Sequence, residues 1–301
     1  MIKRALPLLA LLLFVCSGLA QSHVPTIDDL LTLKSIGGAQ ISPDGKWVAY
    51  TVSYADFKQD AFITQIWMVN SDSGKSFQLT RGDKSSTGPR WSPDGRLAFL
   101  SNRVEDKNQI FLIDPTGGEA RQLTKSETAI NSFEWSEDGK SIAYTATEPT
   151  APPLKERKEY YGDYEVVRGG YSYVHIWTLD VAEAMKSPVA GKQRTKKTDF
   201  SVGSFAWSPD GSTIVFTNYA FSAMGSIGDL PGSRIFTIGR DGTGLRRLGD
   251  GGTASYMPDG RLLFQNNYFW IMNADGTDPR PVKFIGDDLT ELNVGFAYVP
   301  H

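Results

Sequence analysis

Cysteine is all but missing: the 301 residues hold one thiol, Cys16, so no internal disulfide framework supports the fold. Histidine is scarce too. His23, His175 and His301 lie far apart and show no metal-ligand spacing, so neither a metal nor another cofactor is expected. The formal net charge of −3 leaves no electrostatic footprint for nucleic acid. The apolar run Ala5–Val15 covers eleven residues, too few to span a bilayer. No Gly-x-Ser-x-Gly nucleophile elbow occurs. The nearest approach, "GKSIA" at Gly139, puts Ser141 at the start of a predicted strand, so no catalytic residue is assigned.

The amino terminus reads as an export signal. Lys3 and Arg4 form a basic start, the run Ala5–Val15 follows, and Gly18 and Ala20 are small residues suited to cleavage after Ala20. Cys16 lies inside this leader, and Val15 is not the small residue a lipid-anchored precursor wants before its cysteine. Residues 1–20 are therefore read as a cleavable signal peptide. The expected location is periplasmic or secreted, without a stable membrane anchor.

A repeat dominates the rest. "ISPDGKWVAY" begins at Ile41, "WSPDGRLAFL" at Trp91, "WSEDGKSIAY" at Trp135, "WSPDGSTIVF" at Trp207 and "YMPDGRLLF" at Tyr256. The aspartates Asp44, Asp94, Asp138, Asp210 and Asp259 are 50, 44, 72 and 49 residues apart. Each copy predicts a tight hairpin: proline presets φ, aspartate binds nearby amides, and glycine takes positive φ. The β-branched and aromatic run that follows is a buried strand. A second motif recurs as "IWMVNSDSG" at Ile66, "IFLIDPTGG" at Ile110, "IWTLDVAEA" at Ile176, "IFTIGRDGT" at Ile235 and "FWIMNADGT" at Phe269. Short closing strands such as "SFQLT" and "ARQLT" complete a unit. Four strands per unit with a period in the forties predict an all-β fold, a β-propeller of four-stranded blades. The repeated aspartates are turn formers, and "NADGTD" at Asn273 is a hairpin tip without the alternating acids of a calcium loop.

The period breaks twice. About 27 residues in excess of a ~45-residue blade fall in an insertion at 145–173, "TATEPTAPPLKERKEYYGDYEVVRGGYSY". A solvated loop is its plain reading. Its functional reading is a surface for a polar, peptide-like ligand, with Glu159, Tyr160, Tyr161 and Arg168 as candidate substrate-binding residues. The second break is at the end of the chain. "VGFAYVPH" (Val294 to His301) echoes "VGSFAWSPD" (Val202 to Asp210), so five blades plus the start of a sixth are expected, a truncated ring. The expected organisation is a leader over 1–20, a helical lead-in over 21–37 and an incomplete propeller over 38–301.

From Thr26 onward the chain resembles the prolyl oligopeptidase family of serine peptidases, especially its acylaminoacyl-peptidase and dipeptidyl-peptidase-like branches. "TIDDLLTLKSIGGAQISPDGKWVAYTV" is similar to that family's entry into its first blade, with Thr26 as N-cap and Asp29 three residues on. "WSPDGRLAFLSNR", "QIFLIDPTGGEARQLT" and "YEVVRGGYSYVHIWTLD" are similar to its blades. The resemblance implies a propeller that restricts access to a following α/β-hydrolase domain, whose motifs are absent from these residues. Peptide substrates would then be reached through that missing domain. No adjacent Glu-Glu pair occurs, so the dipeptidyl branch's amino-terminus anchor does not carry over. SPDG blades also occur in TolB, which makes a stand-alone propeller that binds protein partners the alternative. TolB carries an α/β domain ahead of its propeller, and only Gln21 to about Gly37 precede the first blade here. A carbohydrate-cleaving propeller ranks third, because the acids fall mostly in turns or in the insertion.

Overall fold

The computed structural model describes residues 26–149, 156, 159–160, 162, 172–196, 200–220 and 233–282. Thr26 caps helix α1 (Ile27–Leu31). Its hydroxyl accepts from the Asp29 N–H at 3.2 Å, and the Asp29 carboxylate accepts from the Thr26 N–H at 2.7 Å. This is a capping box with aspartate in the third helical position.

The described strands form five four-stranded antiparallel meanders. Blade 1 is β1 (Ser35–Ile41), β2 (Trp47–Asp56), β3 (Ala61–Asn70) and β4 (Ser76–Gln78). Blade 2 is β5 (Ser86–Trp91), β6 (Leu97–Ser101), β7 (Gln109–Ile113) and β8 (Arg121–Gln122). Blade 3 is β9 (Ile130–Trp135), β10 (Ser141–Thr147), β11 (Val174–Asp180) and β12 (Lys192–Gln193), with helix α2 (Val181–Ala184) between its last two strands. Blade 4 is β13 (Phe200–Trp207), β14 (Thr213–Ala220), β15 (Arg234–Gly239) and β16 (Arg246–Asp250). Blade 5 is β17 (Gly252–Tyr256), β18 (Leu262–Asn266), β19 (Tyr268–Met272) and β20 (Arg280–Pro281). The first strands of successive blades approach one another, β1 to β5, β5 to β9, β9 to β13 and β13 to β17, which makes them the inner strands. The fold is a β-propeller, as the repeat predicts.

Apolar area is buried mainly between blades. Ala49, Ile66 and Met68 of blade 1 close on Leu97, Phe99, Phe111 and Ile113 of blade 2. One cross-strand aromatic pair recurs at the same register on the second and third strands. Phe99 faces Phe111 with centroids 5.9 Å apart, Tyr144 faces Trp177 at 6.3 Å, Phe216 faces Phe236 at 5.4 Å and Phe264 faces Trp270 at 6.4 Å. Such pairs add about 0.5–1.5 kcal/mol each beyond burial. The ladder between first and second strands shifts register in every blade, for example between Gly37 and Gln40 and between Thr87 and Arg90. A bulge there increases local twist.

The long 138-to-210 interval divides differently from the sequence expectation. Thr145, Ala146 and Thr147 still pair with Ile176, His175 and Val174, and Glu148 N donates to the Tyr173 carbonyl at 2.8 Å, so the strand pairing runs past the expected start of the insertion. Part of the excess instead forms α2 and the strap 185–191 that follows it. "IWTLDVAEA" lacks the glycine turn of the other copies because Asp180 caps a helix there, accepting from the Glu183 N–H at 2.9 Å.

Candidate functional site

The Ser-Pro-Asp-Gly elements are structural throughout. Ser42, Ser136 and Ser208 donate to Asp44, Asp138 and Asp210, each at 2.6 Å, and Ser92 donates to Asp94. Each of these serine oxygens also accepts the N–H of the returning strand, as Trp47 N to Ser42 Oγ at 2.9 Å. These aspartates also accept a backbone N–H two residues on, Lys140 N to Asp138 at 3.0 Å for instance. In blades 2, 3 and 4 the tryptophan before the turn ties its blade to the preceding one. Trp91 Nε1 donates to the Gln40 carbonyl at 3.0 Å, Trp135 Nε1 to Arg90 at 3.3 Å and Trp207 Nε1 to Glu134 at 3.3 Å. In blade 5 the place is Tyr256, whose hydroxyl meets Thr213 Oγ1 at 3.0 Å.

Two polar groupings stand apart from this scaffold. On the inner strands Arg90 Nε donates to Glu134 Oε1 at 3.2 Å, bridging blades 2 and 3. Burial pushes the Glu134 carboxyl up and the Arg90 guanidinium opposes the rise, although the side chain keeps 40% of its exposure. A group enclosed by protein yet open to solvent fits a channel wall. Sequence reasoning passed over this pair because it joins positions 44 residues apart that share only the step before a tryptophan.

The second grouping sits at the neck of the insertion. His175 is 1% exposed, with Nδ1 3.1 Å from Thr195 Oγ1 and Nε2 3.5 Å from Glu148 Oε2. Thr195 Oγ1 also accepts from Ile176 N at 3.0 Å; when its own proton is turned to Nδ1, as Thr80 and Thr124 turn theirs to glutamine, the neutral ring carries its proton on Nε2, facing Glu148. Burial lowers the His175 pKa, and Glu148 partly opposes this. Glu148 also accepts from Tyr173 N at 3.2 Å and donates its own N–H to the Tyr173 carbonyl at 2.8 Å. Blades 1 and 2 use glutamine in the same place: Thr80 donates to Gln65 Oε1 at 2.7 Å, and Thr124 to Gln109 Oε1 at 2.8 Å. The signal was present in the sequence as Gln65, Gln109 and His175, each just before the isoleucine of the second motif.

Of the predicted contact residues, Glu159 and Tyr160 are both exposed, Tyr160 by 81%. Tyr161 and Arg168 lie outside the described residues. Among the described residues no group of three His, Cys, Asp or Glu is placed to hold a metal, and no helix is long and apolar enough to cross a membrane.

Residues 32–167 match the TolB beta propeller domain family. In sequence the chain is 31% identical over 203 residues to the uncharacterized peptidase YuxL of Bacillus subtilis, a match covering 64% of this chain and 31% of that protein. It is 41% identical over 83 residues to dipeptidyl-peptidase 5 of Porphyromonas endodontalis, covering 27% of this chain and 12% of the other. Among solved structures it superposes on acylaminoacyl peptidase from Pyrococcus horikoshii with a TM-score of 0.60, at 16% identity, over 84% of this chain and 40% of that one. TolB from Acinetobacter baumannii gives 0.51 at 18% identity, over 81% and 53%. The protein is thus a β-propeller, and its residues 32–167 carry blades similar to those of the TolB family. In sequence it is similar to proteins named as peptidases, and in fold to the propellers of acylaminoacyl and prolyl peptidases, in line with the resemblance to the prolyl oligopeptidase family. The chain spans about a third of the length of YuxL and less of dipeptidyl-peptidase 5.

Proposed function

We propose that this chain is the substrate-gating propeller of an exported peptidase of the prolyl oligopeptidase kind, and that it has no peptidase activity by itself. The observation that carries this reading is the 31% identity over 203 residues to a peptidase. Residues 1–20 would act as the leader, 21–37 as the lead-in and 38–301 as the propeller. The propeller would act as a size filter, admitting peptides and excluding folded proteins. The paired charges of Arg90 and Glu134 on the inner strands suit passage of a polar peptide backbone. The insertion, through Glu159, Tyr160, Tyr161 and Arg168, would add contacts to that peptide. The nucleophile would come from an α/β-hydrolase domain not contained in these residues.

The match to the TolB domain favours a second reading, an exported propeller that binds protein partners. The coding sequence beyond His301 separates the two. Further blades followed by Gly-x-Ser-x-Gly, and later by Asp and His, are expected on the peptidase reading. A stop codon followed by an unrelated gene would favour the binding module. The purified 301-residue chain is expected neither to cleave peptide nitroanilides nor to react with a fluorophosphonate probe. Stoichiometric labelling of one serine would overturn the claim of silence.

A further inference from the structure

The outer rims of two neighbouring blade interfaces differ. Between blades 2 and 3 the strap after α2 fills the rim as an added strand. Val189 N donates to the Leu123 carbonyl at 3.1 Å, and Lys125 N donates to the Val189 carbonyl at 2.8 Å, a parallel bridge alongside Thr124. The Tyr144 hydroxyl, from the Tyr144–Trp177 stack, donates to the Ala190 carbonyl.

Between blades 1 and 2 the same edge exists, and among the described residues no strap covers it. Leu79, Thr80 and Arg81 correspond to Leu123, Thr124 and Lys125: Leu79 N bonds to the Ile66 carbonyl at 2.8 Å just as Leu123 N bonds to Ile110 at 2.8 Å. Among the described residues neither the Leu79 carbonyl nor the Arg81 N–H has a hydrogen-bond partner. The rim is an open cleft of about 490 Å³ whose lining includes Phe77, Leu79, Arg81, Arg103, Ile113 and Glu119.

Arg103 lies against the aromatic pair that corresponds to the strap-holding tyrosine's pair one blade later. Phe99 and Phe111 replace the Tyr144–Trp177 pair, and Phe99 has no hydroxyl to offer. The Arg103 guanidinium lies over both rings, 5.3 and 4.9 Å from their centroids. Buried Ser101 and Ser86 accept from its Nε and Nη2, each at 3.0 Å. No carboxylate pairs with it among the described residues. A guanidinium stacked on aromatic rings and oriented by two hydroxyls is preorganised for an anionic acceptor.

We propose that this cleft binds an extended peptide from a partner, which adds as a strand along Leu79–Arg81 and sets a carboxylate on Arg103. Strand addition at a free edge supplies main-chain hydrogen bonds, and Phe77, Leu79 and Ile113 offer an apolar floor for one small side chain in the place Val189 takes between blades 2 and 3. Arg81 adds positive charge, and Glu119 sets a limit by repelling a second acidic group nearby. The proposal is independent of whether the chain gates a peptidase.

The test uses the full chain and a probe copied from the strap, acetyl-Ser-Pro-Val-Ala with a free terminal carboxylate, beside the same peptide ended as an amide. Backbone amide shifts are followed during titration. Saturable shifts at Arg81 and Gly118 are expected, with the amide probe about tenfold weaker, since charge-assisted bonds of this kind are worth that much. Arg103→Ala should weaken the acid probe by a similar factor, and Arg103→Lys should recover part of the loss. A thermal melt of each variant separates lost binding from lost fold, and the acid–amide comparison on the unaltered chain needs no variant. No saturable shift at millimolar probe, equal affinity for acid and amide, or shifts confined to other blades would overturn the proposal. So would an Arg81 amide already protected by a second copy of the chain or by its own carboxyl-terminal residues.

Discussion

Replacing Asp138 by asparagine removes one charge at a point where two blades meet. The Ser136 hydroxyl, the Lys140 N–H and the Arg240 guanidinium all converge on this carboxylate. Arg240 belongs to blade 4, reaches Asp138 Oδ2 at 3.1 Å, donates to Ser141 Oγ, and lies over Trp207 with 5.7 Å to the ring centroid. These bonds, the Ser136 hydroxyl first, hold the Asp138 pKa at about 2, below its ordinary 3.8. That depression corresponds to a ceiling of ~2 kcal/mol. The side chain keeps 38% of its exposure, so solvent screening reduces the net to about 1 kcal/mol. Because the folded pKa is depressed, this stability is fully present above pH 3.8 and is lost as the pH falls toward 2. Thermal melts by circular dichroism should show Asp138→Asn melting about 3 °C below the unaltered chain at pH 6, with the gap closing as the pH approaches 2. A gap that is absent at pH 6, or equally wide from pH 6 to pH 2, would refute the assignment of Asp138 as a charged tie between blades 3 and 4.

Two further outcomes follow from the neck of the insertion and the strap. His175→Gln recreates the glutamine–threonine clasp of Gln65 with Thr80 and Gln109 with Thr124, so stability near pH 7.5 should change little. Burial lowers the His175 pKa below its ordinary 6.5, so the native state of the unaltered chain resists protonation and loses stability as the pH falls below 6.5. The variant should therefore become the more stable form toward pH 5, as read from paired melts. A difference that does not vary with pH would count against the buried neutral imidazole. Gly191→Ala should cost about 2 kcal/mol or more: Gly191 sits at φ +77°, and a Cβ there would stand 2.6 Å from the Tyr144 hydroxyl and 3.2 Å from the Thr178 carbonyl. Urea unfolding gives this number directly, and a loss below 0.5 kcal/mol would mean that the strap packs elsewhere.

The repeat was legible in the sequence because its chemistry is local. Ser136, Asp138 and Gly139 are close enough along the chain for turn geometry alone to dictate their bonds, and the same holds at Ser42 and Ser208. The insertion was legible as a departure from the period, but not its limits. Thr145 to Thr147 read as the start of a Pro-rich loop, yet pairing with Val174 to Ile176 keeps them in the sheet. The strap was missed because "SPVA" at Ser187 has no periodicity of its own and acquires a role only beside Leu123 and Tyr144. Arg90 and Glu134 escaped notice for a similar reason: each occupies an ordinary strand position in its own blade.

By itself, then, the sequence determined the unit of this protein: a hairpin turn, two long strands, a glycine turn and a short closing strand, repeated with aromatic residues at matching steps. Those features depend on contacts a few residues apart, where backbone geometry and alternation of side chains decide the outcome. Only the tertiary structure decided which blade faces meet, that a tryptophan reaches back to the preceding blade's carbonyl, and that one interface rim is filled by a strap while its neighbour, among the described residues, stands open. Such relations join residues tens of positions apart. They are set by how twisted sheets pack around a common centre, which no stretch of sequence specifies alone.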